Sequence, residues 1–398
     1  MIVHACAVPM NVPGLLRITA AALFWLLPSS SVFLSAAETE TGSEVTVWIG
    51  TGKSSLSQGI YVCSLDQKTG KLTVPVLAAE AEGPGFLAMH PRRTHVYAVC
   101  GVSGKPSVAA YAVEKNAGRP SLRFVNSVEV GDGGGTHISV DATGRSVLTA
   151  QYGGGSVAIY SLNDDGSLKA RTQLIDHQGA SGAVPGRQDA SHAHWSGRSP
   201  DNRFAFVPDL GLDKVVIYEF DAAGSRLTPH GYGELPAGSG PRHMKFHPNG
   251  KWAYVLNEIS LTITLFMYDA EKGVMTPVET VATVPDELKA KEKTVSAAEI
   301  RIHPNGKFVY SSNRTHDTIS AFEVHSETGK LTLIEREPVR GATPRNFNLD
   351  PSGRWLLAAG QDSHTLGVFE VNQETGELTW NMSSVFAPTP ICVMFGPE

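Results

Sequence analysis

The sequence predicts an all-β fold, a seven-bladed β-propeller with four antiparallel strands per blade, and three observations lead there. The first is a repeat: HPNGKWAYVLNE at 247–258 returns as HPNGKFVYSSNR at 303–314 and DPSGRWLLAAGQ at 350–361. Weaker copies are SPDNRFAFVPDL (199–210), DATGRSVLTAQY (141–152) and HPRRTHVYAVCG (90–101). The second is the period. Between Pro91, Ala142, Pro200, Pro248, Pro304 and Pro351 the steps are 51, 58, 48, 56 and 47 residues, close to the roughly 40–50 residues of a propeller blade. The third is the strand pattern inside each copy. RHMKF alternates, HPNG turns, KWAYVLNE and TITLFMYD follow as strands, and AEKG turns into VMTPV, four strands joined by hairpins.

Third strands recur seven times, from GIYVCSLD (59–66) through SVAIYSLN (156–163) to TLGVFEVN (365–372), which sets the blade count. VTVWIGTG has no first strand ahead of it, and PTPICVMF at 389–396 has nothing after it. The C-terminal strand is therefore expected to enter the N-terminal blade and close the ring, removing free sheet edges. Two insertions interrupt the pattern: Pro285–Thr294, expected to form a short exposed helix, and the Gly- and Ala-rich Asp176–Ala190, long enough to line a site.

Residues 1–37 read as a secretory signal segment. Arg17 precedes the apolar run Ile18–Leu27, and Ser35-Ala36-Ala37 offers a small-residue cleavage site. Export to the periplasm or the extracellular space is expected, with residues 38–398 as a single propeller domain and Met10 as an alternative start. Cleavage removes Arg17, the only charge of the segment, and takes the net charge from −6 to −7. Such a balance argues against a nucleic-acid partner, and no other apolar run reaches the length of a spanning helix. Cys6 lies in the signal segment, leaving Cys63, Cys100 and Cys392 as an odd set without metal-ligand spacing, expected as buried thiols. A monomer is expected.

Because blades superpose, the repeat serves as an internal alignment. Six residues before the turn proline stand Gly85, Thr136, His194, Arg242, Ala298 and Arg345; ten after it stand Gly101, Tyr152, Leu210, Glu258, Arg314 and Gln361. The first position opens the inner strand and the second closes its antiparallel neighbour, so both lie at one end of a blade. His194, Arg242, Arg345, Glu258, Arg314 and Gln361 are thus expected at one mouth of the propeller. His243, Asn257, Asn313 and Asn346 neighbour them and are candidates for binding or for orienting the charged groups. His90, His247 and His303 occupy a position that Asp141, Ser199 and Asp350 fill in other copies, and are read as turn residues. His192 and His194 could suggest a metal pair, but arginines at the equivalent positions oppose a cation, and no metal or other cofactor is expected.

Arginines with one carboxylate and one imidazole suit a small anionic substrate: Arg recognises carboxylate or phosphate bidentately and stabilises developing negative oxygen. Glu258 or His194 could take a proton. The serines lie outside any G-x-S-x-G context.

SHAHWSGRSPDNRFAFVPDLGLDKV, GPRHMKFHPNGKWAYVLNE, IRIHPNGKFVYSSNR and TPRNFNLDPSGRWLLAAGQD resemble the seven-bladed propeller lactonases, a group that includes propeller-type 6-phosphogluconolactonases and fungal carboxymuconate cyclases. The resemblance spans the mature chain; SHAH replaces a commoner S/P-H-P-H form. It implies metal-independent lactone chemistry, with the family's cleft histidine at His194, its GPRH arginine at Arg242, its NE glutamate at Glu258 and a further arginine at Arg314. The expected activity is hydrolysis of a small anionic sugar lactone. A lactonising cycloisomerase using the same groups, and a non-catalytic propeller binding a peptide or glycan, are the alternatives.

Overall fold

A computed structural model describes residues 44–291, 294 and 296–396; the signal segment read from the sequence lies outside them. Seven antiparallel sheets follow one another along the chain. Blade 5 shows the unit: Pro241–Phe246 innermost, then Trp252–Asn257, Thr262–Asp269 and Val274–Ala282 outermost. Inner strands of blades 2, 3, 4, 6 and 7 are Glu82–Met89, Gly135–Val140, Gly197–Arg198, Ala297–Ile302 and Pro344–Leu349. Blade 1 takes its inner strand from the other end of the chain: Pro390–Phe395 pairs with Glu44–Thr51, which pairs in turn with Gly59–Asp66. The ring closes as the orphaned end strands required.

Second strands are buried on both faces because each blade packs against two neighbours; Phe308–Asn313 and Trp355–Gly360 are buried throughout. The core is accordingly divided into seven clusters, each shared by adjacent blades. Phe308, Tyr310 and Ile319 of blade 6 meet Phe347, Leu356 and Phe369 of blade 7, while Val45, Val47 and Ile49 of blade 1 meet Leu357, Leu366 and Val368 of blade 7. Cys63, Cys100 and Cys392 are buried free thiols in this packing.

Polar contacts recur with the repeat. The turn histidines each reach a glycine carbonyl in the next blade: His90 Nε2 to Gly144 O at 3.2 Å, His247 to Gly306 at 2.8 Å and His303 to Gly353 at 2.9 Å. Gly353 must be glycine, since its φ is +76° and a Cβ would sit 2.4 Å from the His303 ring. Six residues after the turn proline, Tyr97, Tyr254 and Tyr310 donate to Gly166 O, Gly329 O and Gly376 O of the following blade at 2.6, 2.7 and 2.9 Å. The insertion after blade 5 contains the helix Asp286–Lys289, with no buried residue.

Tyr310→Phe leaves the Gly376 carbonyl without its buried donor. It is expected to lower stability by about 1–2 kcal/mol, read as a lower urea midpoint at unchanged m-value. Deleting residues 389–398 removes the inner strand of blade 1 and exposes the Glu44–Thr51 edge; the product is expected to show no cooperative unfolding transition.

Candidate functional site

The inner strands share an irregularity at their first residues. Pro241 pairs with Asn257 and His243 with Leu256, so Arg242 is an extra residue; Arg345 is bracketed in the same way, as are Thr136 and Ile391. Equivalent interruptions contain Gly85 and Ala298. In blade 4 the strand shrinks to a bridge, Ala193 to Asp209, and the pair Gly197–Arg198, with His194 in the gap. A bulge re-aims its side chain out of the ladder. Here Gly85, Thr136, His194, Arg242, Arg345 and Ile391 line one cavity of about 180 Å³, floored by Phe86 and His243. A larger hollow of about 590 Å³ between blades 1 and 2, lined by Glu44, Glu114, Lys115 and Arg119 beside Val74 and Pro120, mixes charges of both signs and includes none of the bulge residues. Convergent polar groups mark a site better than volume does.

Glu258, 5% exposed, anchors the arginines. Its carboxylate takes hydrogen bonds from Arg242 Nη1 and, at 2.6 Å, from Arg187 Nη2, and Arg314 Nη2 lies at 3.1 Å. Burial alone would raise its pKa, but Arg242, Arg314 and Arg187 hold it well below the usual carboxylate range. Arg242 Nη1 also donates to His194 Nε2, and its Nε donates to Ala298 O at 2.7 Å. A guanidinium has only N–H groups to offer, so His194 Nε2 is an acceptor and the ring is neutral. Burial and the nearby Arg242 drive the His194 pKa well down. Burial and the neighbouring Arg314 lower Arg345 to about 10, still protonated at neutral pH. Among the described residues, no protein group hydrogen-bonds the Arg345 guanidinium.

One residue further along each inner strand lies a second layer around a buried carboxylate. Glu299 is fully buried, with His243 Nδ1 at 3.2 Å, Arg301 at 3.5 Å and Lys245 at 3.9 Å, and it accepts from Asn346 Nδ2 at 2.5 Å. Burial opposes its ionisation, but Arg301, His243 and Lys245 keep it well below the usual range. Phe86, His137 and Trp195 fill the same layer, with ring centroids 4.4 Å apart for Phe86–His137 and 5.3 Å for His137–Trp195.

Two expected binding residues face elsewhere. Asn257 donates to Thr262 and Thr264 of its own blade at 2.9 and 3.0 Å, and Asn313 to Thr318 and Ser320 at 3.1 and 3.0 Å. Each adjoins a site residue, and strand alternation turns it to the opposite face. Asn346 lies beneath the cavity, tied to Glu299 and to Val393 N. His243 lines the cavity. Gln361 directly follows the Trp355–Gly360 strand of blade 7, its backbone N–H on Thr343 O. His192 stacks on Tyr152 at 4.5 Å and bonds the Tyr152 carbonyl, and the Tyr152 ring in turn lies edge-on to His194 at 5.4 Å. Among the described residues no group of three or more His, Cys, Asp or Glu could hold a metal ion.

Arg187 went unnamed in the sequence reading. It comes from the Gly-rich insertion, which is pinned by buried Gln188 donating to Leu210 O and Asp213 Oδ1, both at 2.8 Å. Asp209 and Asp213 serve this loop: Asp209 binds His177 Nδ1 at 2.6 Å and His192 N at 2.7 Å, and Asp213 accepts from Gly238 N and Gly240 N at 2.7 Å. Glu299 was also missed, although its column, which holds His243 and Asn346, was available in the repeat.

A model of the seven-bladed β-propeller lactonases matches residues 46–395. The 6-phosphogluconolactonase of Bacillus subtilis is 34% identical over 348 residues, 87% of this chain and 97% of that protein. The 6-phosphogluconolactonase of Serratia proteamaculans is 34% identical over 299 residues, 74% of this chain and 82% of its own. Among solved structures, the Pseudomonas aeruginosa periplasmic gluconolactonase PpgL superposes with a TM-score of 0.83 at 29% identity, covering 89% of this chain and 99% of that one. The chain belongs to the seven-bladed β-propeller lactonase family.

Three histidines in and beneath the cavity are held neutral: burial drives His137 and His194 well down and lowers His243 to about 4. The unfolded chain protonates them below about pH 6.5, whereas the folded chain does so only at much lower pH. The unfolded state then binds more protons, so stability falls as pH drops from 6.5 towards 4, by about 1.4 kcal/mol per pH unit for each histidine involved. Glu258 and Glu299, depressed below their unfolded values, add to the loss under about pH 4.3. Urea unfolding across this range should show the decline; a flat profile contradicts the neutral-imidazole assignment.

Proposed function

We propose that the chain hydrolyses a small anionic sugar lactone, of the 6-phosphogluconolactone or gluconolactone kind, to its open acid. The observation that carries this reading is the charge of the site: Arg187, Arg242 and Arg314 converge on one carboxylate, Glu258, and Arg345 lines the same cavity with no protein group hydrogen-bonded to its guanidinium among the described residues. A cation cluster with one unpaired guanidinium selects an anion. Family membership supports lactonase-type hydrolysis.

In this reading Arg345 takes the substrate's carboxylate or phosphate. Arg242 polarises the lactone carbonyl and stabilises the oxyanion as water adds. Glu258, locked as an anion, holds the guanidinium groups apart at fixed angles. His194 holds Arg242 from the other side, and both act on the substrate through it. Arg187, its side chain 38% exposed on the insertion loop, closes over the outer side of the cluster. The reading includes export. The apolar run before Ala37 supports it, as does the likeness to a periplasmic gluconolactonase of Pseudomonas aeruginosa.

Purified residues 38–398 should accelerate opening of 6-phosphogluconolactone or glucono-lactone over background. Arg345→Ala should raise KM at least tenfold with a smaller change in kcat, and Glu258→Gln should lower kcat/KM by about 10²-fold. No acceleration for any lactone, with cyclisation of a muconate instead, would replace hydrolysis by isomerisation. N-terminal sequencing of the exported protein should begin at Glu38; an intact N-terminus in the cell extract opposes export.

A further inference from the structure

We infer that His243, oriented by Glu299, is the group that takes the proton from the attacking water. The inference rests on the lactone-hydrolysis reading and names a catalytic residue for it.

Three groups in or beside the cavity could accept a proton, and the geometry separates them. Glu258 is occupied by Arg187, Arg242 and Arg314. Its carboxylate is also absent from the cavity lining. His194 lines the cavity, but its Nε2 lone pair is taken by Arg242 and its Nδ1 is sealed from solvent without a partner. In that tautomer His194 has no free lone pair. His243 differs at Nε2. Its Nδ1 is buried without a regular hydrogen bond but lies 3.2 Å from a Glu299 carboxylate that Arg301, Lys245 and Asn346 keep anionic, and that charge favours the tautomer with the hydrogen on Nδ1. Nε2 then holds the lone pair, and among the described residues no protein group hydrogen-bonds it. The ring forms part of the cavity wall between Arg242 and Phe86.

A buried carboxylate behind an imidazole fixes the tautomer and stabilises the imidazolium that forms. The surroundings of His243 set how hard it must work. Burial opposes its protonation, Glu299 favours it, and Arg242 and Lys245 on its own strand oppose it; the neutral rings of His194 and His137 lie 5.4 and 5.5 Å away by ring centroid. An anionic substrate on the arginines adds negative charge beside the ring and shifts this balance towards protonation.

The step balances without a co-reactant. Water oxygen bonds the lactone carbonyl carbon, the carbonyl π pair moves to the oxygen facing Arg242, and one water proton passes to His243 Nε2. The ring C–O bond then breaks, and the leaving alkoxide takes that proton from Nε2. The products are the hydroxyl and the carboxylic acid of the opened chain, and the imidazole is neutral again. Glu299 never touches the substrate and is a positioning residue.

The test uses His243→Asn, which keeps an N–H donor towards Glu299 and removes the acceptor, in the full propeller with its unfolding midpoint recorded. On the best lactone of the panel, kcat is expected to fall by 10²–10⁴-fold with KM within about threefold, and added imidazole should restore part of the rate. Nitrogen-15 spectra of the imidazoles should show His243 protonated at Nδ1 and bare at Nε2, a preference lost in Glu299→Gln. A folded His243→Asn that retains kcat within threefold of wild type overturns the inference. So does His243 protonated at Nε2, or full loss in His194→Gln with His243→Asn unaffected. A wild type inert towards every lactone overturns the hydrolysis reading itself, and this inference falls with it.

Discussion

The extra residue at the head of each inner strand is the constraint on which the site depends. A regular strand would alternate its side chains between the two faces of the blade and leave the axis to whatever lay at its edge. The bulge breaks that alternation once, at one height, and turns a single side chain per blade inward. Four of the seven positions are small or non-ionisable, Gly85, Thr136, Ala298 and Ile391, and these make room. The other three, His194, Arg242 and Arg345, bring the polar groups. Segregating space and charge around a ring lets a closed, rigid fold carry an asymmetric site.

Charge along the axis is arranged in two storeys. Glu258 gathers the arginines at the mouth, and Glu299 gathers His243, Arg301, Lys245 and Asn346 just below. Neither carboxylate is favourable to bury by itself, and each is kept ionised by the cations around it. Both hubs join side chains from different blades, so the electrostatics of the site and the angular relation of the blades are set together. The imidazoles of the site stay neutral chiefly because they are buried, with the neighbouring cations acting in the same direction.

The architecture was legible in the sequence because a repeat is an alignment written into one chain. Turn prolines, third strands and the stranded ends at 44–51 and 390–395 each pointed to the ring. Positions could be compared column by column, which brought His194, Arg242, Glu258, Arg314 and Arg345 together on paper. The column comparison failed in two ways. It could not tell which face a neighbour occupies, so Asn257 and Asn313 were grouped with residues from which strand alternation separates them. Nor could it see Arg187, which belongs to an insertion that has no counterpart in the other copies and is held in place by long-range bonds from Gln188. Glu299 was overlooked for a different reason: a glutamate inside AAEIRI reads as a solvent-facing strand residue unless its column is known to face the axis.

Ring closure also imposes an order on synthesis. Blade 1 draws its innermost strand from residues 390–395 and its second strand from residues 44–51, so the first β-segment made must wait for nearly the last. Until then the growing chain presents an open seam at blade 1, and the core cluster between blades 7 and 1 lacks Val393. A ribosome that stalls or terminates early therefore releases a product with an exposed edge rather than a smaller closed ring, and the cell obtains either a closed propeller or material for its proteases.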